Sequence, residues 1–95
     1  MTEEIANPPL TVRQIEIITF IRAADMTIDG ERHNYTAQDL VDRGLPGLVH
    51  SVELSLKGLC KKGMTRMIRT PRAWGRRKAR YRLTEAGTVR ARNYR

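Results

Sequence analysis

The sequence predicts a mainly α-helical domain with a small β-hairpin near its C-terminal end. Three observations carry that expectation. Threonine caps at Thr11 and Thr36 each precede a run with helical apolar spacing. Two strand-like stretches, Met64 to Thr70 and Ala79 to Thr84, flank a turn containing Pro71 and Gly75. A length of 95 residues allows one small domain with a thin core, and no second one.

Taken in order, residues 1–9 are expected to form a flexible tail and residues 10–95 the domain. Thr11 with Gln14 three residues on makes a capping box, and Leu10 before it can pack on Ile15 as a hydrophobic staple, so a helix should start here and run through Ala24. Ile15, Ile17, Ile18, Phe20 and Ile21 cover more than half its circumference, a wider stripe than one core needs. Two readings of that width stand: burial beneath the rest of a small domain, or contact of Ile17 or Phe20 with a second chain. Asp25 to Asn34 is expected to be a loop. Asp25, Thr27, Asp29 and Gly30 have the opening spacing of a calcium loop, but Thr36 stands where a bidentate glutamate is required, so calcium is rejected.

Asn34 and Tyr35 suit a very short strand, and Thr36 with Asp39 repeats the capping signal for a short helix to Arg43. Gly44 ends that helix, and Leu45 and Pro46 lead into a longer one, Leu48 to Lys62. Two helices joined by so short a glycine-containing connection form a helix-turn-helix, whose second helix is the one that enters DNA in such motifs. On this second helix Val49, Val52, Leu56, Leu59 and Cys60 form the inward stripe, and His50, Ser51, Leu54, Lys57, Gly58 and Lys61 the opposite side, with Glu53 between. Gly63 stops it. In the last segment Tyr81 and Leu83 should point inward and Arg80 and Arg82 outward, followed by a helix capped by Thr84 in which Ala86 and Val89 pack.

Charge is segregated along the chain. Residues 1–56 hold four Arg against nine Asp or Glu, a balance of −5, whereas residues 57–95 hold fourteen Lys or Arg against one Glu, a balance of +13. Solubility alone does not require such separation, and the common intracellular polyanion is nucleic acid. A single cysteine makes no internal disulfide, the N-terminal stretch is acidic and unlike a signal peptide, and no apolar run is long enough for a bilayer, so a soluble cytoplasmic protein without membrane contact is expected. Two scattered histidines, one cysteine and no glycine-rich phosphate loop give no catalytic or metal-binding constellation. The expectation is a binding protein and not an enzyme, with no cofactor and no small-molecule ligand.

The order helix, short strand, helix, helix, strand, strand, helix resembles winged-helix DNA-binding domains. Leu10 to Arg22, LTVRQIEIITFIR, is similar to the opening helix of LexA-like DNA-binding domains. His50 to Met64, HSVELSLKGLCKKGM, resembles their recognition helix, and Tyr81 to Gly87, YRLTEAG, resembles the segment that closes the wing in MarR-like regulators. The chain lacks LexA's protease domain and the long flanking helices of MarR proteins, so neither self-cleavage nor ligand sensing is implied. What the resemblance implies is a sequence-specific regulator of transcription, a homodimer on double-stranded DNA, with helix 48–62 in the major groove and a basic wing, 71–79, on the minor groove or phosphates.

Matched to that recognition helix, His50, Ser51, Glu53 and Leu54 fall at base-contacting positions. His50 can donate to guanine, Ser51 bonds either way, Glu53 accepts from cytosine N4, and Leu54 meets a thymine methyl or else a protein partner. Lys57, Lys61 and Lys62 suit phosphates, although Lys61 and Lys62 also favour the negative end of their own helix. Arg72, Arg76, Arg77 and Lys78 surround Trp74 and Gly75 on an acid-free turn, fitting a narrow minor groove, with Trp74 either packed on the domain or stacked on a sugar or base. Two alternatives remain beside the regulator: an architectural or replication-type protein coating nucleic acid without strong sequence preference, and a winged-helix protein-interaction module.

Overall fold

The computed structural model describes residues 8–69 and 79–94. Residues 1–7 of the expected tail and the wing tip, with Arg72, Trp74, Arg76, Arg77 and Lys78, therefore lie outside the described residues, whereas Pro8 and Pro9, expected in the tail, are held by hydrogen bonds from Arg90 and Lys62. The elements are α1 (Val12–Ile28), α2 (Ala37–Asp42), α3 (Val49–Lys61), β1 (Thr65–Arg69), β2 (Ala79–Leu83) and α4 (Glu85–Arg92). An isolated bridge, Tyr35 to Tyr81, adds the short strand expected before α2. Together these make the winged helix-turn-helix order α-β-α-α-β-β-α, mainly helical with a two-stranded antiparallel hairpin.

Local signals set the helix starts. Gln14 N–H donates to Thr11 Oγ1 while Thr11 N–H donates to Gln14 Oε1, and Thr36 with Asp39 repeats this reciprocal box on α2. Thr84 caps α4 by accepting from Gly87 N–H. The α1 stripe is buried as Ile17, Ile18 and Ile21, and it meets Leu40 of α2, Leu45 of the turn, Val52, Leu56 and Leu59 of α3, and Tyr81 and Leu83 of β2 in one core. Each such fully buried aliphatic side chain contributes about 1.5–3 kcal/mol relative to an exposed one.

Several expectations change. Helix α1 runs one turn beyond Ala24, to Ile28, so Asp25 belongs to a helix and not to a loop. Its extra residues Met26, Thr27 and Ile28 are exposed, so apolar periodicity gave no sign of them. Asp25 itself is buried, and its Oδ1 accepts from the hydroxyl of Tyr35 at 2.8 Å and from His33 N–H at 3.1 Å, which ties the end of α1 to the strand-like segment. In α4 the buried residues are Gly87, Thr88 and Ala91, whereas Ala86 and Val89, expected to pack, are exposed. The reason is a close backbone approach: a Cβ at Gly87 would collide with the Met64 carbonyl oxygen, so glycine there fixes the rotational phase of the helix.

Candidate nucleic-acid interface

The turn between α2 and α3 is held from outside the motif. Gly44 and Gly47 have φ of +117° and +118°, backbone conformations that favour glycine. Arg13 of α1 donates to the Pro46 carbonyl and pairs with Glu16 at 2.8 Å, so its guanidinium clamps the turn against the first helix. A side chain on Gly47 would run into that guanidinium. Arg43, at the end of α2, lies 5.4 Å from the centre of the Tyr35 ring, a cation–π distance. Arg13 was not singled out from sequence, because its partner is 33 residues away and nothing local signals it.

Held in this way, α3 buries Val52, Leu56 and Leu59 and presents the other side to solvent. His50, Ser51, Leu54, Lys57 and Lys61 are all exposed, with Leu54 at 57%, while Glu53 is half-buried. Leu48, the N-cap, is 77% exposed and supplies no side-chain acceptor, in contrast to the threonines that begin the other three helices. The N–H groups of the first turn of α3 are thus left for an acceptor outside the helix. Among the side chains of its first turn there is no acid, and Lys61 stands in the last turn, so the exposed surface is free of acids at its start and basic toward its end.

Three residues expected at an interface are placed elsewhere. Lys62 Nζ donates to the Pro9 carbonyl and to Gln14 Oε1, both at 2.8 Å, so it ties α3 to the start of α1 and is not a free phosphate contact. Gly58 is not part of the open face either: it lies against Gln14, whose Nε2 would be 3.0 Å from a Cβ there. Ile17 is fully buried and has no surface to offer a second chain, whereas Phe20 is half-buried at the edge of the core.

The hairpin register sorts its side chains. Thr65 pairs with Leu83 and Met67 with Tyr81 on the inner face; Arg66 opposes Arg82 and Ile68 opposes Arg80 on the outer one. Thr65 Oγ1 donates to the Leu56 carbonyl at 3.2 Å, fastening the hairpin base to α3. Arg80 lies 3.8 Å from Asp39 of α2, and Arg69 is exposed where the strand leads toward the wing tip.

Burial raises the Tyr81 phenol above its usual range, helped by the nearby carboxylate of Glu53. Burial and then the hydrogen bond to Asp25 raise that of Tyr35 further. Asp29 is moved the other way, its carboxyl held low by the hydrogen bond with His33 and then by the backbone N–H of Glu31.

Among the described residues, no group of three or more His, Cys, Asp or Glu is placed to hold a metal, and no helix is long and apolar enough to cross a membrane. No protein-family model and no curated protein matches the sequence. Among solved structures, the fold superimposes on Bacillus subtilis PadR in a complex with operator DNA, with a TM-score of 0.66 and 15% identity. The match covers 88% of this chain and 46% of the PadR chain, so the chain spans less than half of that protein's length. The likeness carries the winged-helix fold and does not single out the LexA-like or the MarR-like branch of the sequence resemblance; this chain is a winged helix-turn-helix domain.

Proposed function

We propose that the protein is a DNA-binding regulator of transcription that places the exposed side of α3 in the major groove. The observation that carries the reading is that face itself. His50, Ser51 and Leu54 stand beside Lys57 and Lys61 on a helix whose turn is clamped by Arg13, giving a rigid ridge with few acids. Such a helix fits a groove about 12 Å wide, and the free N–H groups of its first turn suit a phosphate. The likeness to a regulator that binds operator DNA supports the same reading.

Within it, His50, Ser51, Glu53 and Leu54 read base edges, and Lys57 and Lys61 hold phosphates. Arg72, Arg76, Arg77 and Lys78 of the wing add minor-groove or phosphate contacts. A homodimer on a near-palindromic site would set two copies of α3 about 34 Å apart, one helical turn. Phe20 supports that assembly: with Ala23, Ala24, Thr27 and Arg43 it lines an open cavity of about 290 Å³.

The segregated charge of +13 on residues 57–95 favours a second reading, binding without sequence preference. Selection of bound duplexes from a random pool separates the two. A regulator enriches a motif, and His50→Ala or Leu54→Ala changes the enriched bases. Equal affinity for selected and shuffled duplexes would remove the regulator reading in favour of the second.

A further inference from the structure

A second basic surface lies away from α3. Two clefts, of about 450 and 230 Å³, share Arg32 and Glu85 and so lie side by side as one grooved surface. Arg22 of α1 and Arg92 of α4 line the larger, and Arg66 and Arg82 of the hairpin's outer face line the smaller. No residue of α2, the turn or α3 takes part in either.

We propose that this groove binds nucleic-acid phosphates, giving each chain a second backbone contact in addition to α3. Five guanidiniums converge on it, and none of them lies within ion-pair distance of a carboxylate among the described residues, although Glu31 and Glu85 also line the groove. Arg66 and Arg82 are directly opposed across the strands, an arrangement of like charges that costs stability unless an anion sits between or beside them. Arg82 donates through Nη2 to the Arg32 carbonyl at 2.6 Å, which fixes the floor of the groove, while its buried Nε–H has no acceptor in the protein. Phosphate oxygens offset the repulsion between the opposed Arg66 and Arg82, and arginine's planar fork matches them in paired hydrogen bonds. An acidic peptide is the poorer fit, because peptide grooves offer apolar anchor pockets and Val89 is the only exposed large apolar side chain here.

The test uses the full chain and a mixed-sequence 20-base-pair duplex, with affinity followed against salt concentration. Arg32, Arg66 and Arg92 are exposed, so replacing all three by alanine should not lower thermal melting, and loss of the Arg66–Arg82 repulsion should raise it slightly if it moves at all. It should lower the slope of log affinity against log salt by about two to three units, roughly 0.9 for each lost phosphate contact. The same drop is expected in a Lys57→Ala/Lys61→Ala background. In that background the amide signals of Gly30, Thr88 and Val89 should also shift when duplex is added. An unchanged slope in both backgrounds, or tighter binding of poly-glutamate than of duplex, would overturn the proposal. Failure of the α3 reading looks different: His50→Ala and Leu54→Ala would leave base preference intact while the groove variant still lost its slope.

Discussion

Tyr35 and Tyr81 are bridged through their backbones and both buried, yet their hydroxyls are treated oppositely. The Tyr35 O–H donates to buried Asp25, whereas the Tyr81 O–H is buried with no acceptor. Tyr35→Phe should therefore cost about 1–3 kcal/mol in urea denaturation, because it takes a donor from a buried acceptor, while Tyr81→Phe should be neutral or stabilising. The two phenols also predict the alkaline limb of stability. Both are raised above the ordinary value of 10.0 in the folded state, so the unfolded chain loses its protons first. Stability is accordingly intact below about pH 10 and declines as pH rises toward the higher folded values. Removing the Tyr35 phenol should make that decline shallower, and a limb of unchanged steepness would show that its ionisation is not linked to folding.

Among the elements, α4 shows most plainly how one contact sets an orientation. It is eight residues long with little apolar surface, so hydrophobic pattern cannot fix its phase. The Thr84 hydroxyl donates to the Gly63 carbonyl at 2.6 Å, and Gly87 packs on the Met64 carbonyl; these join α4 to the point where α3 ends and β1 begins. Gly87→Ala should cost on the order of 1–3 kcal/mol through overpacking, lowering the melting temperature by about 4–8 °C per kcal/mol for a domain of this size. Ala86→Ser, one residue away on the exposed side, should change stability by less than about 0.5 kcal/mol. Equal melting temperatures for the two variants would mean that the helix can rotate to admit a methyl group, against the packing described above.

At the scale of the whole molecule, the basic residues divide into those that face outward and those used for internal ties. Lys57 and Lys61 are exposed, while Lys62 reaches Gln14 and Pro9, and Arg90 donates to the Pro8 carbonyl at 2.8 Å. Two cations from the strongly basic half thus hold the start of the domain onto the ends of α3 and α4. Lys57→Ala combined with Lys61→Ala should flatten the salt dependence of DNA affinity by about two units. Lys62→Ala should leave that slope alone and lower stability by about 1 kcal/mol instead. A slope reduced as much by Lys62→Ala as by loss of Lys57 would contradict the division.

The order of elements and the starts of α1, α2 and α4 were legible in the sequence because they depend on residues three or four apart: threonine caps, their Gln14 and Asp39 partners, and glycines at stops and turns. The inward faces of α3 and β2 were legible for the same reason, since a helix or strand turns its period into a surface without outside help. Tertiary structure alone decided the rest. Asp25 became the buried acceptor for Tyr35, Lys62, expected on a phosphate, bonded to Gln14 and Pro9 instead, Ile17 vanished into the core and α4 turned Gly87 and Ala91 inward. Each depends on a partner eight or more residues away, or on the width of the space between two packed backbones. Periodicity carries no information about such distances; only the folded chain brings those groups into reach of one another.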